Sequence, residues 1–381
     1  MLPYLFVFFI SISCTFIAEK LIAQKNAKPL FYFFSFLAVI APALLAGFRN
    51  PGIGTDTLIY AQDAWKQIIQ VPDWQMFVRN YVKGNYDDFE FVYLFINYVA
   101  SRFGRDIFWC FFFTNLSVVL PIYLALYDNR SKGNMWIGMA IFLFLYYNIS
   151  FNMIRQSICL ALCIYAVKYL EQRRYIRLII WLLIIMNTHN TGSFFVLFCM
   201  IYLINSLRSG KMKKCLQLIF YGMIPLFLIL FDLIILLAVN LNMLPERYIW
   251  YAVGDETLFD TMTSCSYIFI LMCLFYIYIN VTDKYSKQQV KYIAINKLFG
   301  IVLFLMSLVS KWTYRISYYL NYPIDILYIP RALYIMKNKN HAQYQIVLIA
   351  LFSVMFFYWV WLFVVKGAHE TYPYKSKLLG I

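Results

Sequence analysis

The sequence predicts an all-α, polytopic membrane protein with about 12 transmembrane helices, and three observations lead there. Of 381 residues, 63% are hydrophobic and only 13% charged, too little charge for a soluble domain of this length. Long apolar runs recur from one end of the chain to the other. Short clusters of Lys and Arg separate those runs, as cytoplasmic loops do.

The first run, 2–17, has no basic segment before it and leads into a second apolar run, so it reads as a retained span rather than a cleaved leader. Further spans are expected at 30–47, 105–127, 135–150, 152–170, 178–189, 190–206, 216–239, 264–281, 293–310, 316–334 and 343–365. Several fall short of the roughly 20 residues of a perpendicular crossing, which implies tilted or broken helices. The pair within 178–206 reads as a hairpin with its tip at Asn187–Ser193. Segment 89–103 is expected to be an interfacial or re-entrant helix on the outer face, because a thirteenth pass would invert everything after it. Gly104 is a hinge candidate after it.

Six short loops are basic: 18–29, 128–134, 168–177, 207–215, 282–292 and 335–342. Placing them in the cytoplasm leaves both termini outside. The outer face then receives 48–88, the tips at Asn148–Arg155, His189 and Lys311–Arg315, the loop 240–263 and the tail 366–381. The chain, 1–381, reads as a single integral membrane domain with outer-face loops 48–104 and 240–263, without internal repeats or low-complexity tracts.

The net charge of +15 is spread over many loops, which points to anionic membrane lipids as partners and away from nucleic acid. Eight cysteines scattered through apolar runs read as small core residues, with neither a disulfide framework nor a metal site expected. There is no Asp-x-Asp, P-loop, Gly-x-Ser-x-Gly or paired-histidine motif, so no cofactor is expected, nor an ATP-driven pump or a nucleotide-sugar enzyme. Acids are almost missing from the spans, with Asp232 and Asp325 standing in their interiors, too few for the relay of an ion-coupled transporter.

The polar residues that stand out fall on the predicted outer face. In the stretch Gly47 to Tyr60, Pro51, Gly52 and Gly54 break any helix and present Arg49 and Asp56 on a bent loop. Arg155, with Gln156 beside it, opens a membrane helix, where an arginine costs about 2.5–3.5 kcal/mol near the bilayer centre unless it has a partner. The alternative is an interfacial arginine reaching for headgroups. Arg315 stands among Trp312, Tyr314, Tyr318 and Tyr319, either an aromatic interface belt or a cation kept on a face that disfavours it. Arg49, Arg155 and Arg315 together could clamp phosphate oxygens, which guanidinium forks suit. His189 lies in a polar island, Asn187–Ser193, as a hydrogen-bonded structural residue or a ligand contact able to titrate. Asp56 and Glu90 are the acids best placed for chemistry, with helix-terminal capping as the alternative for each. Asp255, Glu256 and Asp260 read as solvated loop charges or sugar contacts.

The order of these motifs resembles the EpsG-like branch of the Wzy-type polysaccharide polymerases. The resemblance runs through Gly47-Phe48-Arg49, Gly54-Thr55-Asp56-Thr57, Tyr60, Glu90-Phe91-Val92-Tyr93 and Asn152-Met153-Ile154-Arg155-Gln156. It continues through Thr188-His189-Asn190, Arg315-Ile316-Ser317-Tyr318-Tyr319 and Tyr372-Pro373-Tyr374. What it implies is a GT-C-like, metal-independent glycosyltransferase in the bacterial inner (plasma) membrane, its active site facing the periplasm or cell exterior. Its substrates would be undecaprenyl-pyrophosphate-linked glycans, joined into O-antigen, capsule or exopolysaccharide, with a flippase and a chain-length regulator as partners. Asp56, Glu90 and His189 would then be the catalytic candidates, and Arg49, Arg155 and Arg315 the pyrophosphate ligands. Tyr60, Gln156 and Tyr319 would be secondary contacts. The rivals are a lipid-linked oligosaccharide flippase or exporter and an O-antigen ligase.

Overall fold

Inside a bilayer the backbone finds no water to bond, so an apolar run must satisfy its own N–H and C=O groups as helix. The computed structural model describes residues 1–22, 24–86, 89–207, 210–241, 249, 287–305 and 313–381. Every regular element among them is helical. The chain packs as two compact units, 1–193 with 325–381 and 194–324.

The first unit opens with α1 (Leu2–Leu21) and α2 (Lys28–Phe48), followed by a bent loop and a π-helical turn at Thr57–Ala61. Three short helices come next: α3 (Gln62–Ile68), α4 (Trp74–Val82) and α5 (Phe91–Ser101). Then follow α6 (Ile107–Asp128), α7 (Met135–Leu145), the single turn α8 (Ile149–Asn152), α9 (Ile154–Glu171) and α10 (Tyr175–Met186). The second unit holds α11 (Phe195–Ser206), α12 (Lys211–Ile229), α13 (Phe231–Asn240), α14 (Lys287–Leu305) and α15 (Thr313–Pro323). The chain re-enters the first unit through a π-helical turn, with α16 (Ile329–Lys339) and α17 (His341–Trp359), the latter prolonged by π-helical turns to Val365.

Four of these are long and apolar enough to cross a membrane: α1, α2, α6 and the run His341–Val365. Others of the expected spans are shorter apolar helices or are interrupted. α7 ends at Leu145, and the chain turns twice before α9 begins, with a non-helical Met153 (φ −107°, ψ 58°) between α8 and α9. The run expected at 216–239 breaks at Leu230 between α12 and α13. The run expected at 316–334 is part of a longer helical stretch from Thr313 to Lys339. α5 has 11 residues, about 16 Å of helix, half of what a crossing needs, which suits the interfacial or re-entrant role expected of 89–103. The expected span 264–281, Asp255, Glu256, Asp260, Lys311, Trp312 and nearly all of loop 240–263 lie outside the described residues.

Packing in the first unit solves specific polar problems. Pro42 interrupts α2 and cannot donate to the carbonyl of Ala38; the Ser11 hydroxyl of α1 donates to that carbonyl instead, at 2.6 Å. α1 lies against both α2 and α7, and α6 against both α2 and α9. A buried aromatic cluster gathers Tyr4, Phe8, Tyr147 and Trp359, with Tyr374 from the C-terminal tail edge-on to Tyr4. Its hydroxyls all find backbone carbonyls: Tyr4 donates to Thr371, Tyr147 to Pro42 and Tyr374 to Leu45, at 2.6, 2.6 and 2.8 Å. The tail is thereby fastened over the end of α2.

α9 sorts the charges of this unit. Its last residue, Glu171, accepts a two-pronged ion pair from Arg331 (2.6 and 3.0 Å), a bond from the Tyr328 hydroxyl (2.5 Å) and Lys132 (3.1 Å). Arg331 also donates to Asn129, and Lys168 pairs with Asp128 at 2.8 Å. Burial raises the Glu171 carboxyl, but Arg331 and Lys132 outweigh it and hold the group down at about 2. These contacts join two of the loops assigned to the cytoplasm, 128–134 and 168–177, to Tyr328 and Arg331 of the run expected at 316–334. About 24 Å away along the helix, the first turn of α9 faces a different cluster.

Candidate functional site

That cluster is assembled by the bent loop after α2. Gly54 has φ +86°, a left-handed conformation, and a side chain there would meet the Phe151 carbonyl at 2.4 Å. The loop can therefore press against α8 only with glycine at this position. Two bonds hold it there: the Gly54 N–H donates to the Glu370 carbonyl (3.1 Å) and the Asp56 N–H to Asn152 Oδ1 (3.2 Å).

The Asp56 carboxylate sits at the N-terminus of α9. Its Oδ2 accepts from the Ile154 N–H at 3.3 Å and from the Tyr60 hydroxyl at 2.6 Å. The orphan N–H and the positive end of the helix dipole both favour a carboxylate here. Burial, and then the carboxylate beside it, push the Tyr60 hydroxyl well above its ordinary pKa, so it remains a donor.

Arg155, one residue into α9, pairs with Glu90 at 2.8 Å. Its guanidinium also lies 4.6 Å from the Tyr60 ring centre and 5.2 Å from that of Phe89. The Glu90 side chain is 9% exposed and that of Arg155 is 23% exposed, so the pair is largely desolvated yet open on one side. The second Glu90 oxygen accepts from the Asn190 N–H at 3.3 Å, and the Val92 N–H donates to the Asn187 carbonyl. Glu90 thus joins α9 to the polar island at His189. Within the island Thr191 donates its N–H to His189 Nδ1 at 3.2 Å, and its hydroxyl lies 2.7 Å from the same nitrogen. A backbone N–H can only donate, so Nδ1 is the acceptor and the neutral ring carries its proton on Nε2.

The structure therefore brings Asp56, Tyr60, Glu90, Arg155 and the His189 island together, with Gln156 buried next to Arg155. Arg49 is set deeper. It is 4% exposed, its guanidinium lies 4.2 Å from each of the Phe111 and Phe151 ring centres, and its Nε has no hydrogen-bond partner among the described residues. Burial pulls its pKa down to about 10, which leaves it a cation at neutral pH. Arg315 and Tyr319 lie on α15 in the second unit, where Arg315 Nε donates to the Tyr314 hydroxyl at 3.1 Å and Tyr319 is buried.

The EpsG family model matches residues 30–376, nearly the whole chain. The chain belongs to the EpsG family. No curated protein and no solved structure matches it. Membership points to a polysaccharide polymerase-type, glycosyltransferase-like role in a membrane.

Two residues of the cluster in this EpsG-family chain escape sequence reasoning. Asn152 holds the Asp56 N–H through its Oδ1 and meets His369 Nδ1 through its Nδ2, at 2.9 Å. Asn152 was legible only as part of a motif beside Arg155. His369 follows the last apolar run, one of only three histidines in the chain, and that scarcity was the available signal.

Proposed function

We propose that this EpsG-family protein is a GT-C-like glycosyltransferase that joins undecaprenyl-pyrophosphate-linked oligosaccharide repeat units on the outer face of a bacterial inner membrane. The growing glycan leaves its lipid pyrophosphate as a hydroxyl of the incoming unit attacks the anomeric carbon. The C–O bond to the pyrophosphate breaks with its electron pair, and the hydroxyl proton passes to a carboxylate. The observation that supports this reading best is the Arg155–Glu90 pair at 2.8 Å, held one residue into α9 beside Asp56 and Tyr60.

The Arg155 guanidinium is open on one side, suited to the negative charge that grows on a departing pyrophosphate. Arg49 stays cationic beneath the loop and adds to the positive field there. Asp56 and Glu90 are the candidate bases for the acceptor hydroxyl, oriented by Tyr60 and Arg155 respectively. His189 offers no lone pair at Nε2 while Thr191 occupies Nδ1, which favours a role in shaping the island. The donor's own pyrophosphate linkage supplies the driving force, so no nucleotide site is required.

The test is direct. Purified protein in lipid vesicles is given undecaprenyl-pyrophosphate-linked repeat units, and the products are resolved by length. A ladder of longer glycans is the expected outcome. Movement of the units across the bilayer without elongation would mark a flippase, and transfer only to a foreign acceptor a ligase; either would overturn the proposal.

A further inference from the structure

The C-terminal tail brings a side chain to the site through His369, and the chemistry of that contact is determined. Asn152 Oδ1 lies 3.2 Å from the Asp56 N–H, which can only donate, so the orientation of the Asn152 amide is fixed. Its Nδ2 therefore faces His369 Nδ1 at 2.9 Å as a donor. Nδ1 must accept, and the imidazole proton of the neutral ring belongs on Nε2.

The backbone around His369 is shaped for this contact. His369 and Glu370 have φ of 63° and 52°, a region that L-residues avoid. Such residues persist where surrounding structure over-determines them, and they cluster at functional sites. Here the surroundings are explicit. Thr371 is held by the Tyr4 hydroxyl on its carbonyl and by Asn148 Nδ2 on its hydroxyl, at 2.6 and 3.0 Å. The turn so fixed delivers two groups to the loop: the Glu370 carbonyl to the Gly54 N–H, and the His369 ring to Asn152. The ring rests 6.2 Å from that of Phe363, at the end of the α17 run.

We infer that His369 is a positioning residue that, through Asn152, fixes the loop carrying Asp56, and that it does so as the tautomer with its proton on Nε2. Its effect on transfer rests on the polymerase reading above; the tautomer and the coupling to Asn152 do not. The chain of contacts runs from His369 Nδ1 to the Asn152 amide to the Asp56 backbone, whose carboxylate faces Tyr60 and the start of α9.

The experiment has two arms on the full-length protein in lipid nanodiscs. With ¹⁵N-histidine label only three side chains report, and His369→Gln assigns the one of interest. At pH 7.5 the His369 signal should be that of a neutral ring protonated on Nε2. In Asn152→Asp the side chain can still accept from the Asp56 N–H but cannot donate, and the His369 signal should move to a ring protonated on Nδ1. A wild-type signal already protonated on Nδ1, or one indifferent to Asn152→Asp, would overturn the inference whatever the protein catalyses.

In the second arm His369→Leu should lower the turnover number for elongation about tenfold with KM for the lipid-linked unit unchanged, the scale of one lost hydrogen bond. His369→Gln, whose carbonyl can accept from Asn152, should restore most of it. Wild-type turnover in His369→Leu would sink the positioning role. Absence of elongation by the wild type would count against the polymerase reading alone, and the first arm would still decide the tautomer and the coupling.

Discussion

At the scale of single residues, the site contrasts two carboxylates with one imidazole. Glu90 and Asp56 each have a named orienting partner, Arg155 and Tyr60, whereas the acceptor nitrogen of His189 is occupied by its own island. Glu90→Gln and Asp56→Asn keep the shape and an acceptor oxygen but cannot take up a proton. Each should reduce glycan elongation by about 10²-fold or more, with the protein still present in the membrane. His189→Gln should cost less than tenfold on the same scale. A product ladder that collapses only in His189→Gln would transfer the base to the histidine. Arg155→Lys keeps the charge and loses the planar fork; it should reduce elongation about as strongly as Glu90→Gln does. Arg315→Lys probes the arginine of the second unit separately. These ionisable residues were legible in the sequence because a charge beside a membrane span is costly enough to stand out. Asn152 and His369 were not, because their contact joins positions 217 residues apart and neither residue type is conspicuous alone.

At the scale of elements, the bent loop gives a controlled comparison. A methyl on Gly54 would meet the Phe151 carbonyl at 2.4 Å from a left-handed backbone, whereas a methyl on Gly52 would meet nothing within 4 Å. Gly54→Ala should therefore cost on the order of 1–3 kcal/mol and displace Asp56, lowering elongation at least tenfold. Gly52→Ala should match the wild type in both thermal unfolding and activity. Equal behaviour of the two variants would show that the loop does not press on α8.

The other end of α9 carries a stability prediction. The Glu171 carboxyl lies at about 2 in the folded chain against an ordinary 4.5. A depressed value means that its contribution is complete above about 4.5 and fades as pH falls toward 2. Glu171→Gln should destabilise the protein by up to about 3 kcal/mol at neutral pH, since Arg331 loses its partner. The gap in unfolding temperature between wild type and variant should narrow below pH 4.5; a constant gap would contradict the ion-pair account. Helix positions followed from apolar runs, but not every break did. A turn between the spans 135–150 and 152–170 was expected, whereas the break at Leu230 within the run 216–239 and the π-helical turn after Pro323 have no counterpart in hydropathy.

At the scale of the whole molecule, the two ends of α9 gather different sets of segments. Segments assigned to the outer face converge at the start of α9: the Asp56 loop, Asn152, the His189 island and the tail. Two segments assigned to the cytoplasm, 128–134 and 168–177, meet at its end, around Glu171. Orientation in the membrane follows from charge bias, and the native chain holds a probe for it. Among the described cysteines, Cys14, Cys110, Cys159, Cys163 and Cys199 are buried, and Cys215 is exposed at the beginning of α12. It closes the basic loop 207–215, assigned to the cytoplasm. In a Cys265→Ala, Cys273→Ala background, a membrane-impermeant maleimide applied to intact cells should leave Cys215 unlabelled. The same reagent should label it after permeabilisation. Lys375→Cys, at an exposed position on the tail, supplies the opposite control and should react from outside without permeabilisation. Labelling of Cys215 from outside, with Lys375→Cys protected, would invert the topology. The site at the start of α9 would then face the cytoplasm, where substrates reach it before translocation, and polymerisation on the outer face would be excluded.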